Sequence, residues 1–200
     1  MTLTQFSAWA ALLLGAVLVH ALLSQSITPA IATAPETVVA QNSNEKSRRG
    51  AAVVNEGSII VPVAGVPRGA LTDTWGASRS EGRTHEGIDI MAPMGAQVRA
   101  AADGRIVKFF DSERGGITIY QFDTSERFVY YYAHLSGRAS GLAEGAIVRQ
   151  GDLIGYVGMS GNAPVPHLHF EIQRLTAERH WWEAESMNPY PLLIAGRAPN

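Results

Sequence analysis

Four of the six histidines in this 200-residue chain fall in three short stretches whose spacing suits chemistry. His85-Glu-Gly-Ile-Asp89 sets an imidazole four residues before a carboxylate, and Tyr132-Ala-His134-Leu135 closes an aromatic run. His167-Leu-His169 places imidazoles on either side of a leucine. Successive side chains on a strand point to opposite faces. His167, His169 and Glu171 would therefore share one face, and Leu168, Phe170 and Ile172 the other. Pro164 and Pro166 keep a helix from entering that run. Two imidazoles so placed suit a metal site, or a metal ligand beside a base. Taken alone, the pair reads equally well as polar residues on a wet strand face. Around the first stretch, Gly87 and the β-branched Ile88 and Ile90 disfavour a helix, so His85 and Asp89 are expected on a turn leading into a strand.

Together these stretches supply one carboxylate, four imidazoles and no thiol. Cysteine is absent from the chain, so a metal would be held by nitrogen and oxygen alone. A catalytic zinc takes three protein ligands and leaves a position open for water. It brings the pKa of that water down to about 7 and polarises a carbonyl. Three ligands would leave two histidines for proton transfer and for stabilising an oxyanion. Spacing alone does not say which three bind.

The elements that must position these residues read as short strands. Runs rich in β-branched and aromatic residues occur at 59–63, 97–101, 105–110, 117–122, 128–135, 146–149, 153–157 and 168–173. Turn signals stand between them: Asp103-Gly104, Gly115-Gly116, Gly151-Asp152 and Ser160-Gly161-Asn162. Only 176–186 is suited to a helical turn or two. The pattern predicts an all-β fold, a small antiparallel barrel or sandwich of short strands. Upstream, residues 6–23 form a nearly unbroken apolar run at the lower limit for spanning a bilayer. No Lys or Arg precedes it, and a small-residue cleavage site, Ala30-Ile31-Ala32, follows. We read residues 1–24 as a hydrophobic helix acting as signal or membrane anchor, 25–56 as a flexible spacer, and 57–200 as the folded domain. A net charge of −2 with no basic stripe gives no case for nucleic acid.

Residues 71–191 resemble the lysostaphin-type (LytM-type) zinc metallopeptidases, which are peptidoglycan endopeptidases. The likeness rests on His85-x₃-Asp89, the isolated His134 and His167-x-His169. It extends to Thr74-Trp-Gly-Ala-Ser-Arg79, Ala92-Pro-Met-Gly95, Gly151-Asp-Leu-Ile-Gly155 and Asn188-Pro189. The resemblance implies that His85, Asp89 and His169 bind Zn²⁺ and that His134 and His167 form the catalytic pair. It implies hydrolysis of peptide cross-links or bridges of peptidoglycan in the cell envelope, outside the cytoplasm, with envelope regulators as partners. Every motif position is filled, unlike in relatives that only activate other wall enzymes.

Two other classes compete. A barrel-sandwich carrier or envelope adaptor would account for Ala102-Asp-Gly-Arg-Ile-Val107 and 148–155, but the only lysine after Lys46 is Lys108, inside an expected strand. An iron oxygenase would use the same two histidines and carboxylate, yet leaves His134, His167 and the export segment unexplained. Among the remaining residues, Glu171 is suited either to orienting an imidazole or to pairing with an arginine. Arg79 or a tyrosine is a candidate oxyanion donor, Trp181-Trp182 reads as a packed flap, and His20 as incidental.

Overall fold

The structure, a computed structural model, describes residues 57–200. The apolar run, His20 and the spacer lie outside them. Among the described residues no helix is long and apolar enough to cross a membrane.

The strands are β1 (Ile88–Met91), β2 (Gln97–Arg99), β3 (Gly104–Ser112), β4 (Gly116–Asp123) and β5 (Phe128–Arg138). They continue with β6 (Ile147–Val148), β7 (Leu153–Val157), β8 (His167–Leu175) and β9 (Ala184–Met187). The one α-helix among the described residues, α1, is Tyr190–Ala195. All pairings are antiparallel, in the order β1-β8-β5-β4-β3-β6, with β9 added to β8 and β7 bridging β5 and β2. The all-β antiparallel expectation is met, but the sheet does not close into a barrel. Instead it forks at β5. Residues Phe128 to Ala133 of β5 pair with β8, whereas Leu135 to Arg138 pair with β7. His134 stands at the fork.

The core follows from the period of two. Leu168, Phe170 and Ile172 of β8 are fully buried, as are Phe128, Tyr130, Tyr132 and Leu135 of β5 and Ile88 and Ile90 of β1. Each such side chain contributes roughly 1.5–3 kcal/mol by leaving water. The buried Tyr132 hydroxyl is fully used: it accepts from the Ala101 amide at 2.9 Å and donates to Gln121 Oε1 at 2.7 Å. Gln121 Nε2 in turn donates to the Ala102 carbonyl at 2.7 Å. Gly87 precedes β1 where no side chain fits, since a Cβ there would stand 2.6 Å from the Phe170 carbonyl.

Two local expectations are corrected. Residues 59–63 run extended beside β2 without forming a ladder; Pro62 has no amide to give and only accepts, from Arg99 N at 2.9 Å. Residues 176–186 hold no helix. A turn closed by Arg179 N to Thr176 O leads to Trp181, which packs on Tyr120 and Phe110 with ring centroids 4.7 and 5.6 Å apart. The chain then returns as β9 to cover the edge of β8, so pairing and aromatic packing override local helix preference. A helix forms instead after Pro189, whose ring suits a helix start.

Candidate active site

Strand register builds most of the site. Asp89 of β1 is the direct cross-strand partner of His169 on β8, and Met91 of His167. Paired side chains on one face lie close enough to act on one group. His85 is set just before β1 by two backbone bonds with the 74–77 loop, Gly76 N to His85 O and His85 N to Ala77 O, both 2.9 Å. The same loop holds both neighbours. The Thr74 carbonyl accepts from His85 Nδ1 at 2.7 Å, and Thr74 Oγ1 accepts from the Asp89 amide at 3.0 Å.

These contacts fix the tautomers. With Nδ1 of His85 donating to Thr74, its Nε2 carries the lone pair; with Nε2 of His169 donating to Glu171 Oε1 at 2.7 Å, its Nδ1 does. The two nitrogens lie 2.8 Å apart, and Asp89 Oδ1 is 3.0 Å from the first and 3.2 Å from the second. Ligands at about 2.0–2.1 Å from a tetrahedral zinc would be about 3.3 Å from one another. Three lone-pair donors at nearly that spacing repel unless a cation stands among them. The donor set therefore fits a divalent metal. Arg79 Nη2 bonds the other carboxylate oxygen, Asp89 Oδ2, which leaves Oδ1 to the histidines. This ties Arg79, which also lines the cleft, to Asp89.

The electrostatics carry the same preference for positive charge. Burial alone would raise the Asp89 carboxyl, but the hydrogen bonds from His169 and His85 outweigh it and hold it well below the usual carboxylate range. Burial would depress His169; its bonds to Asp89 and Glu171 prevail and lift it to about 9. In the metal-free protein a proton takes the position that a cation would claim.

His134 reaches the cleft through a bulge. Alternation along β5 puts Tyr130 and Tyr132 in the core and Tyr131 and Ala133 on the cleft face, so His134 by parity would point inward. Instead the register slips by one residue: Ile119 pairs with Tyr132, yet Ile117 with Leu135. His134 adopts φ 61°, and its side chain joins the cleft lining. Left-handed backbone at a non-glycine residue costs on the order of 1 kcal/mol, and histidine is among the residues that tolerate it better. The ring is held by Nδ1 donating to the Ser160 carbonyl at 2.9 Å, and the backbone by His134 N to Gly115 O at 2.8 Å. His167 is held in the same manner, Nδ1 donating to the Val165 carbonyl at 2.8 Å. Both rings thus turn a free Nε2 towards the cleft, with centroids 4.8 Å apart and His167 Nε2 3.5 Å from Asp89 Oδ1. Burial lowers His134 to about 4; the Ser160 carbonyl offsets this in part, while His167 and His169 press the same way.

All five expected residues converge on one cleft of about 540 Å³. Tyr131 lines it too, edge-on to His169 with centroids 6.0 Å apart, whereas Tyr130 and Tyr132 are core. Trp181 is the packed flap expected; Trp182 remains 63% exposed beside it. Sequence reasoning missed the carbonyls of Thr74, Ser160 and Val165 that fix three imidazoles. Backbone atoms leave no signature in residue type.

The model of peptidase family M23 matches residues 83–189. The chain is 37% identical over 131 residues to an L-Ala–D-Glu endopeptidase of Bacillus subtilis, a match that covers 61% of this chain and 39% of that protein. It is 45% identical over 93 residues to the DD-carboxypeptidase/endopeptidase Mpg of Neisseria meningitidis, covering 44% of this chain and 20% of that one. The aligned stretch thus spans well under half of either curated relative. In structure it is similar to the catalytic domain of the antimicrobial peptidase lysostaphin from Staphylococcus simulans, with a TM-score of 0.52, 28% identity, and coverage of 60% of this chain and 88% of that one.

Proposed function

Because the chain belongs to peptidase family M23, we propose that it is a zinc-dependent endopeptidase that hydrolyses peptide cross-links or bridges of bacterial peptidoglycan. His85, Asp89 and His169 hold the metal in this reading. The observation that carries it is the set of three lone-pair donors 2.8–3.2 Å apart, each fixed from behind by Thr74, Arg79 or Glu171. The metal, when bound, supplies a Lewis acid that polarises the scissile carbonyl and acidifies water.

The chain's own residues do the rest. His134 and His167, with Nδ1 occupied by carbonyls, each present Nε2 to the reacting group. One accepts a proton from the attacking water and returns it to the leaving amine; the other, when it carries a second proton on Nε2, donates that N–H to the oxygen on which charge develops. Their burial keeps water from competing for those nitrogens. The iron-oxygenase reading has no use for this second pair.

Endopeptidases named for L-Ala–D-Glu and DD bonds are among the relatives, so peptide bonds of the wall are the substrate class. The domain then works outside the cytoplasm, with residues 1–24 as export segment or anchor and 25–56 as spacer to the 57–200 peptidase domain. Elemental analysis tests the ligand assignment. The purified chain should carry about one zinc, and His169→Ala should fall far below one. Full occupancy in that variant would refute the assignment.

A further inference from the structure

Two arginines that line the cleft approach one carboxylate oxygen. Glu81 Oε2 lies 2.9 Å from Arg114 Nη2 and 3.7 Å from Arg83 Nε. Arg83 comes, like Glu81, from the loop before β1 and Arg114 from the β3–β4 turn, so the carboxylate ties that loop to an arginine 33 positions beyond it. Both arginines sit beside the reactive histidines. Arg114 adjoins Gly115, whose carbonyl holds the His134 amide, and Arg83 is two residues from His85. Arg83 Nε is shielded from solvent and makes no hydrogen bond. Of the acids lining the cleft, Asp89 is taken by Arg79 and the histidines and Glu171 by His169; Glu86 faces solvent.

Glu81 is a weak occupant of this place. It is 66% exposed, so its ion pair is screened, and its backbone sits at φ 63°, a conformation non-glycine residues adopt at a cost. A guanidinium pair prefers a planar carboxylate that both can reach. We propose that Arg83 and Arg114 form a carboxylate-reading subsite, that the substrate is a peptide with a free carboxylate close to the scissile bond, and that Glu81 fills the subsite until substrate displaces it. This rests on the endopeptidase reading and sharpens it, since an uncharged stretch such as oligoglycine gains nothing from the two arginines.

The test uses the zinc-loaded full chain and soluble peptide fragments of peptidoglycan, native or with their carboxylates converted to carboxamides. The unaltered protein should favour the native fragments at least about tenfold in kcat/KM, as expected for a charge-assisted hydrogen bond. Arg114→Gln and Arg83→Gln should each bring that ratio towards one, chiefly through KM. Glu81→Gln should lower KM several-fold for native fragments and leave the amidated ones little changed. Equal ratios in all four proteins would overturn the subsite while leaving the endopeptidase intact. Should neither fragment be cut, the endopeptidase reading fails and calorimetric binding still decides the subsite. Tighter binding of native fragments that Arg114→Gln abolishes supports it, and equal binding of both kinds overturns it.

Discussion

Glu171 Oε1 lies 2.7 Å from His169 Nε2, on the side of the imidazole away from Asp89 and His85. The two residues share a strand face with one residue between them, so the strand itself sets the pair. Glu171 fixes the tautomer and adds electron density to a candidate ligand, and its second oxygen is anchored by Gln173 and Ser186 at 2.6 and 3.1 Å. Glu171→Gln should therefore weaken zinc binding about 10–100-fold. Competition against a chromophoric chelator reads this directly, and an unchanged affinity would mean that Glu171 has no part in positioning His169.

If His134 moves the proton as proposed, His134→Ala should keep its zinc and lose about 10²–10⁴-fold in turnover. His134→Asn should fold at least as well as the alanine variant, since asparagine accepts the left-handed backbone at this bulge. Steady-state rates with elemental analysis check the first expectation, and thermal melts the second. Near-normal turnover in His134→Ala would remove it from the chemistry.

The depressed His134 sets a sign for pH. Its folded value of about 4 lies below the ordinary 6.5, so between these values the unfolded chain binds a proton that the folded one refuses. Stability from this group is full above about pH 6.5 and declines as pH falls towards 4. Thermal midpoints of the metal-free protein should drop over that window, and less steeply in His134→Gln. Turnover should fail sooner than His134 protonates, because His85 and His169 must be neutral to bind metal. Zinc content and rate measured together across pH 4–8 should therefore fall together.

Much of the site was legible because metal and acid–base chemistry need particular residue types, and the strand period carries them. His167, His169 and Glu171 share a face as alternation requires, and His85 with Asp89 lead into a strand. What stayed hidden is set by backbone contacts across the sheet. The slip that turns His134 out of the core comes from unequal residue counts between β4 and β5 partners, and no local motif announces it. The strand at 184–187 exists because β8 offers an edge, and the pairing of Arg79 with Asp89 depends on how the loop before β1 folds back.

Gly87 offers a check on that close packing. A Cβ there would stand 2.6 Å from the Phe170 carbonyl, 2.9 Å from Glu171 Cγ and 3.0 Å from His169 Cε1. Gly87→Ala should cost roughly 1–3 kcal/mol through overpacking. Because two of the displaced neighbours are His169 and Glu171, zinc affinity should fall with it. Denaturant melts and metal titration of the same sample check both. A variant as stable as the parent would show that β1 and β8 have slack the structure does not display.

Mass spectrometry of purified peptidoglycan incubated with the zinc-loaded chain reads metal-dependent cleavage of wall peptides. New amine and carboxylate ends should appear at peptide bonds while the glycan strands stay intact. A chelator should abolish them and added zinc restore them. Peptidoglycan whose peptides remain uncut, or cleavage that proceeds undiminished in chelator, would show that this chain is not a metal-dependent wall peptidase.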